Sequence, residues 1–438
     1  MGALLIETPC PACGHQLAFP FYDGGRQPLT TLAWPRSAAE AQSMEALPLD
    51  FIRCVSCGHV FNQAFDYAKV PYSDKPNLMF NKGALWREHL EATAGELSRG
   101  LPARPTVVEI GCGDGHLLRT LAKANPNGRF VGFDPNGAIE TGDGLVEAQY
   151  KLFEPAVHLL EYRPDLIMIR HVLEHLTQPL AFLQALSFAA AWHGLKPRLF
   201  VEVPCIDRVF ATHRTADFFY EHNSHFTRAS LATLLSRGGA AVDRIETPYD
   251  GEVLTALVQL GREHRDANAP MTASGADSVA IARDSIAFYN HTRHSDAVLR
   301  ARIDDLAQTG SRVAVWGGTG KAAAFINRYG LDATRFPLVV DSDASKVGTF
   351  VPGAGQEILR PDALLRDPVE AILIATQWRA RDIAREIEAA GIPYHRLLLE
   401  HEGRLIDYHR DAHPYRDDAA RAQNADKTVI RLTTRPQA

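Results

Sequence analysis

The chain has 438 residues, 46% of them apolar, and a formal net charge of −6. That length exceeds one domain and predicts two to four, each with enough apolar residues to bury a core. The charge gives no reason to expect nucleic-acid or anionic-membrane binding. No stretch reaches the ~18 uninterrupted apolar residues of a membrane span, and residues 1–8 lack the basic start of a signal peptide, so a cytoplasmic location is the expectation.

The first element is a metal motif. Cys10-Pro11-Ala12-Cys13-Gly14-His15 is echoed by Cys54-Val55-Ser56-Cys57-Gly58-His59. Paired C-x-x-C turns let four thiolates converge tetrahedrally on zinc, and the glycine after each pair permits the tight turn. Cys10, Cys13, Cys54 and Cys57 are therefore read as ligands of a structural Zn2+, with every position filled and none left for substrate. A reducing compartment disfavours disulfides, and a redox dithiol uses one pair only. His15 and His59 are expected near the metal or at the surface, and Cys112 and Cys205 as small packing residues.

Residues 107–116 carry an apolar run ending in an acid, glycines at alternate positions, and then Leu117-Leu118-Arg119-Thr120-Leu121 at helical spacing. This predicts a strand, a tight turn and a helix start, with glycine allowing a ligand to lie on the main chain. Dinucleotides and S-adenosylmethionine (SAM) both use such a turn. A dinucleotide fingerprint wants Gly or Ala where His116 stands. Glu109, two residues before the first glycine, suits a cationic amino-acid moiety better than a pyrophosphate. Gly111, Cys112, Gly113 and Asp114 are the candidate contacts, and a purely structural turn is the plain alternative. The next strand, within residues 128–135, ends in Asp134-Pro135, about 20 residues beyond the turn, where an acid accepts bonds from ribose hydroxyls. Residues 150–153, Phe153 included, are adenine-pocket candidates. Residues 165–169 and 198–203 read as further buried strands. The alternation predicts a doubly wound α/β sheet with ligands at its carboxyl edge.

His171-Val172-Leu173-Glu174-His175 fits H-x-x-E-H, a metallopeptidase pattern whose spacing puts both histidines on one face of a helix. It follows a strand without a break and ends at Thr177-Gln178-Pro179, leaving little room for a zinc-binding helix; packing of a strand–helix corner is the other reading. Residues 217–227 hold Tyr220, Glu221, His222 and His225, which offer a base near neutrality, an orienting carboxylate and a phenol donor. In an extended backbone Glu221 and His222 point to opposite sides, so they share a site only if the loop is irregular; a polar loop bonded to itself is the alternative. Thr227 is a candidate N-cap for a helix over 228–237, ended by Gly238-Gly239. Residues 262–274 read as a linker, and 276–309 as a helix. A second strand and glycine turn follows at 311–320, with Asp341 closing the next strand, but Gly317-Gly318-Thr319-Gly320 lacks the G-x-G-x-x-G spacing of an NAD site. The residues after 408 are charged until Val429-Ile430-Arg431-Leu432 and are expected to form a tail.

Residues 76–262 resemble the class I SAM-dependent methyltransferases. That resemblance implies that Arg170 and His171, after the fourth strand, line the cofactor pocket. The whole chain resembles the three-domain C-methyltransferases acting on nucleotide-linked deoxysugars. It shares their four-cysteine module, a Glu-His pair matched by Glu221-His222, tyrosines matched by Tyr67 and Tyr72, and the C-terminal series Val315-Trp316-Gly317-Gly318-Thr319-Gly320-Lys321, Val339-Val340-Asp341, Lys346-Val347-Gly348 and Val351-Pro352-Gly353. The resemblance implies a zinc module at 1–75, a class I SAM domain at 76–265, a linker and helix at 266–310, a Rossmann-like α/β domain at 311–408, and a tail at 409–438. It also implies a small-molecule substrate, a nucleotide-linked keto-deoxysugar. On this reading His222 removes the proton alpha to the ketone, Glu221 orients it, and Tyr220, His225 or Tyr72 bonds the oxyanion. Phe219 stands where the family has tyrosine, Thr319 and Ala322 replace glycines, and the serine run after the tyrosines shrinks to Ser73. A non-sugar acceptor, an NAD-binding oxidoreductase and a non-catalytic binding module are the competing readings.

Overall fold

The computed structural model of the protein describes residues 5–32, 34–72, 83–139, 141–242, 244–260 and 275–416. Ser73, the expected boundaries at 75/76 and 265/266, the linker at 262–274 and Val429-Ile430-Arg431-Leu432 lie outside the described residues. Three sheets make up the described architecture.

The first sheet is antiparallel and runs Ile6–Glu7, Leu17–Gln27, Leu47–Cys54, Val60–Asn62 and Ser224–His225. The two cysteine knuckles flank it and repeat each other bond for bond. Cys10 N–H donates to the His15 carbonyl and Gly14 N–H to the Cys10 carbonyl; Cys54 and Gly58 do the same with His59 and Cys54. Gly14 and Gly58 have φ of +72° and +75°, a conformation costly to any side chain. The last strand of this sheet comes from the segment around His222, so that segment is fixed by main-chain pairing to the N-terminal module.

The second sheet has seven strands in the order Ala240–Ala241, Val253–Leu260, Arg198–Pro204, Leu166–Arg170, Thr106–Ile110, Arg129–Phe133 and Glu147–Gln149. Its last five strands are parallel, and Val253–Leu260 is antiparallel to Arg198–Pro204. Thr106–Ile110 is followed in sequence by its neighbour on one side, while its neighbour on the other side comes later. The chain switches direction there, which opens a crevice beyond that strand's carboxyl end. The strands are near-continuous apolar runs because both faces are covered. Helix Arg228–Arg237 begins at Thr227, the N-cap the sequence predicts, and Ser230 completes a capping box with it. Residues 150–153, the adenine-pocket candidates, are a loop that follows strand Glu147–Gln149.

The third sheet runs Ile358–Leu359, Leu338–Val340, Val313–Trp316, Ala371–Ile374, Arg396–His401 and Arg404–Asp407, parallel except for its last strand. Its own switch point lies at Val313–Trp316. Helix Gly275–Gln308, 34 residues and so about 50 Å long, ties this sheet to the first. Ser278 Oγ bonds the Val55 carbonyl and Ser285 Oγ accepts from Arg53, while farther along Asp296 accepts from the Tyr329 hydroxyl. Phe288 of this helix stacks on Phe21 at 5.2 Å and meets Tyr22 and Phe218, joining the helix, the first sheet and the 217–227 loop in one aromatic core. No helix of the described residues is long and apolar enough to cross a membrane.

Phe288→Ala empties the centre of that core and should cost about 3–5 kcal/mol of unfolding free energy in urea titrations. A change below about 1 kcal/mol would show that the long helix is not docked there.

Candidate functional site

The crevice of the second sheet is bordered by residues of all three sheets. On the floor stand Glu109, Gly111, Cys112, Gly113, Asp114 and His116, from the carboxyl end of Thr106–Ile110 and the turn into helix His116–Ala124. Arg170, His171 and His175 follow the next strand, and Trp86 comes from helix Ala84–Arg99. Phe219 and His222 form one wall. Thr31 of the first sheet's module, and Thr319, Gly320, Lys321, Lys346, Trp378 and Arg379 of the third sheet, face them. Gly111 has φ +70°, and a Cβ there would fall on Val172 Cγ2, so the turn needs glycine both for its backbone angle and for close approach.

A chain of buried charges lies behind the floor. Glu109 is 2% exposed, and its Oε1 stands 3.7 Å from Arg170 Nη1. Arg170 Nη2 donates to Glu202 Oε1 at 2.8 Å, and the other Glu202 oxygen meets His89 at 2.6 Å. His171 bonds Glu174 through Nδ1 and Glu202 through Nε2, both at 3.2 Å. Burial alone would raise Glu202, but Arg170, His171 and His89 overcome it and hold the carboxyl well below its ordinary range. Burial lowers His171 less than its two carboxylates raise it, so the net shift is upward. Glu109 has only the more distant Arg170, and burial wins, pushing it up to about 7. It is thus a carboxyl at the crevice floor poised to ionise when a cation arrives.

His222 faces the open space. Its ring lies 4.2 Å from Phe219 and edge-on to His175 at 4.8 Å. Burial, reinforced by His175 and His225, pulls its pKa well below 6.5, so it is a neutral imidazole at physiological pH. Glu221, next in sequence, turns the other way. Its Oε1 accepts from the backbone N–H of Thr30 (2.6 Å), Thr31 (2.7 Å) and Leu32 (3.3 Å) and from the Thr31 hydroxyl (3.0 Å). The expectation that Glu221 orients His222 is therefore corrected: no hydrogen bond joins the two side chains among the described residues, and the carboxylate holds the 30–32 loop instead. Its main chain does serve the site, because the Glu221 carbonyl accepts from His175 Nδ1 at 2.7 Å.

Two further expectations are corrected. The Tyr220 hydroxyl accepts from Asp66 N–H at 2.7 Å, which points it away from the crevice. His225 sits in strand Ser224–His225 with its ring against Phe51 and Phe218, and burial lowers its pKa to about 3. Of the three proposed oxyanion partners, Tyr72 keeps its hydroxyl on His222's neighbours, 2.9 Å from both His175 Nδ1 and the Glu221 carbonyl. Asp134 accepts from Gly113 N–H at 3.1 Å, beside the turn. Phe153 packs edge-on against Phe133 in the core and Pro135 is exposed; neither borders the crevice. The H-x-x-E-H reading also gives way, since Leu173–His175 is a single 3-10 turn and His171 is clamped between two carboxylates.

The four cysteines meet as their spacing predicts. Cys10 and Cys57 sulfurs are 3.7 Å apart, Cys13 and Cys54 3.6 Å, and all four lie within 4.8 Å of one another. Zinc bound at about 2.3 Å to each of four sulfurs sets them about 3.8 Å apart, whereas a disulfide needs about 2.05 Å. The residues therefore fit a tetrahedral zinc ion. His59 is fully buried beside them and bonds Ser224 Oγ rather than the sulfurs.

Sequence reasoning missed Thr31, Trp86, Trp378 and Arg379, and weighed His175 only as a peptidase ligand or packing group. Trp378 and Arg379 follow strand Ala371–Ile374, so the rule that ligands meet the carboxyl ends of parallel strands could have found them. Nothing local marks Thr31 or Trp86.

Residues 83–245 match a methyltransferase domain, and residues 273–392 match a C-methyltransferase C-terminal domain. The chain is 26% identical to C-methyltransferase NovU of Streptomyces niveus over 420 residues, which are 91% of this chain and 94% of NovU. Among solved structures it resembles a SAM-dependent methyltransferase from Aquifex aeolicus (18% identity, 45% of this chain, 99% of that one, TM-score 0.31). It also resembles CalO1, a methyltransferase in calicheamicin biosynthesis (21% identity, 41% of this chain, 57% of that one, TM-score 0.28).

Removing the Glu221 carboxylate leaves three main-chain donors unsatisfied. Glu221→Ala should therefore lower unfolding free energy by about 3 kcal/mol or more in urea titrations. Undiminished stability would instead return Glu221 to a role at His222.

Proposed function

For a chain that belongs to the NovU-like SAM-dependent C-methyltransferases, we propose a nucleotide-linked keto-deoxysugar as the acceptor and His222 as the base that activates it. One observation carries the reading: a half-buried imidazole, held neutral, borders the same crevice as the glycine turn, and a wall of Lys321, Lys346, Arg379 and the Trp378 ring borders it too. Such a wall suits an anionic diphosphate with an attached base, and the imidazole suits a carbon acid beside a ketone. Lys321 and Lys346 are held by Asp217 and Asp341 at 2.5 and 3.2 Å, and the Arg379 Nε is buried with no hydrogen-bond partner among the described residues.

SAM, when bound, supplies the methyl group as an electrophilic sulfonium. Glu109, Gly111, Cys112, Gly113, Asp114, Arg170 and His171 border its place, with Asp134 positioned for the ribose hydroxyls. His222 would take the proton alpha to the ketone and pass it to solvent from the imidazolium, and the electron pair left on the acceptor would take the methyl as the cofactor's sulfur leaves as a neutral thioether. Glu221 acts here as a positioning residue through its carbonyl and the 30–32 loop, and Tyr72 through His175. The four cysteines hold one structural Zn2+, read from their sulfur spacing. Phe219 against His222 favours a second reading, a small apolar non-sugar acceptor, because it puts a hydrocarbon where a hydroxyl could have met a sugar.

Mass spectrometry after incubation with SAM and a panel of dTDP- and GDP-linked keto-deoxysugars separates the two. A product heavier by one methylene, with the alpha proton lost, supports the sugar. No product from any of them, in protein that binds SAM, supports the other acceptor. His222→Gln should retain SAM affinity and lose about 10²–10⁴ in rate; a smaller loss than about tenfold removes it as the base. Since only the neutral imidazole accepts a proton, the wild-type rate at saturating SAM should hold as pH falls past 6.5 and decline only through the lowered pKa.

SAM affinity should respond to Glu109. A cation favours its ionised form, so binding should weaken as pH falls through about 7. Glu109→Gln should bind more weakly at pH 8 and lose that pH dependence in calorimetric titrations. A variant that keeps the dependence would place the titrating group elsewhere.

A further inference from the structure

The H-x-x-E-H segment brings two of its members, Glu174 and His175, beside His222. One ligand atom each from Glu174, His175 and His222 lie within 4.8 Å of one another, at the edge of the crevice. We propose that Glu174, His175 and His222 form an open site for a divalent transition-metal ion, separate from the four-cysteine site, and that an ion there withdraws His222 from proton transfer.

Three features of the cluster support this. First, the donor set is two imidazoles and one carboxylate, a set suited to zinc, cobalt, nickel or iron in the divalent state rather than to magnesium or calcium. Second, two of the three donors are already oriented as metal ligands are, by a hydrogen bond on their far side. His175 Nδ1 donates to the Glu221 carbonyl at 2.7 Å, which puts the proton on Nδ1 and the lone pair on Nε2. Glu174 Oε1 is held by His171 Nδ1 at 3.2 Å. Third, Glu174 Oε2 is buried with no hydrogen-bond partner among the described residues, an arrangement that an ion would satisfy. Glu174 is 1% exposed, so water does not reach it freely.

His222 completes the site from the loop side, and it borders open space where further positions could be taken by water or by an oxygen of the acceptor. Donors around a tetrahedral ion bound at about 2.1 Å stand about 3.4 Å apart, so capture asks for a modest rotation of the His222 ring. The helical arrangement that H-x-x-E-H ordinarily uses is absent, because His171 is committed to Glu174 and Glu202 and the turn at Leu173–His175 is too short. The third donor therefore comes from 47 residues downstream of His175.

The site and the base assignment make opposite demands on one lone pair. An ion on His222 blocks proton removal, so the metal would act as an inhibitor in competition with catalysis. This consequence rests on the reading of His222 as the base; the binding does not.

The test is a titration of full-length protein, its cysteine site already filled with zinc, with Co2+ followed by visible absorption and metal analysis. We expect one further ion per chain, with the weak visible bands of a nitrogen–oxygen site and no thiolate charge-transfer band. Glu174→Gln and His222→Gln should each weaken that ion by about 10-fold or more, with bound zinc unchanged. No further ion at millimolar Co2+, or wild-type affinity in both variants, overturns the site. If Glu174→Gln loses zinc or SAM binding and so has not folded, His222→Gln at the crevice edge decides alone. Addition of Zn2+ to the methyl-transfer assay reads the second half: an ion bound without inhibition keeps the site and removes His222 as the base.

Discussion

The crevice depends on one buried carboxylate. Glu221 is fully buried, and its Oε1 gathers the main-chain donors of the 30–32 loop, a segment 189 to 191 positions away in sequence. A buried carboxylate is tolerated only where donors replace its water, and N–H donors converging on one oxygen do that. The same loop has a second hold, because the Thr30 carbonyl accepts from Gly320 N–H of the third sheet's glycine turn at 2.8 Å. One short loop is thereby pinned by the segment carrying His222 on one side and by the C-terminal module on the other. Thr31 can border the crevice only because both bonds are made.

A second ionic cluster sets the distance between those walls. Asp217 lies in the same segment as His222 and is paired with Lys321 and Arg214, which also holds Glu252 at 2.7 Å. Burial raises Asp217, yet Arg214 and Lys321 bring it down to about 2. Lys321 and Arg214 both lie over the Trp378 ring, at 4.5 and 5.2 Å. Removing one member of such a buried set leaves the others uncompensated, so the set is more a device for register than a source of net stability. The C-terminal module is in this way more than a scaffold beside the SAM domain: its turn and its Trp378-Arg379 corner are held against the segment carrying His222 by charge.

What the sequence made legible follows from range. The cysteine knuckles, the turn at Gly111 and Gly113, and the Thr227 cap are each built from residues within a few positions of one another, and each stands where the spacing predicts. The doubly wound sheet was legible for the same reason, since strand periodicity and turn residues are local. The 217–227 loop was not. Glu221, Tyr220 and His225 look catalytic in sequence because they carry the right groups beside His222. Their partners are Thr30, Asp66 and Phe51, set by the pairing of Ser224–His225 with Val60–Asn62. A strand edge of the N-terminal module thus decides which of four adjacent polar residues reaches the crevice, and no local pattern encodes that choice.

The two parallel sheets show how one motif can be given to a ligand or withheld from it. In the SAM domain, Asp134 accepts from Gly113 N–H at 3.1 Å and from Asn136 N–H at 2.9 Å. In the C-terminal module, Asp341 accepts from Gly318 N–H at 3.3 Å and from Asp343 N–H at 2.9 Å. The acid after the second strand closes back on the glycine turn in both. The difference lies in what surrounds them. Asp341 is also paired with Lys346, and Gly320 N–H is spent on Thr30, so the donors and the acid that a dinucleotide would need are already satisfied within the protein. Asp134 forms no salt bridge among the described residues and is half-buried beside the turn. A ribose can replace its two main-chain bonds at little cost, whereas at Asp341 it would have to displace a buried cation as well. The C-terminal turn has the shape of a cofactor site, but its polar groups are used to fasten the module to the crevice, whereas those of the SAM-domain turn are not.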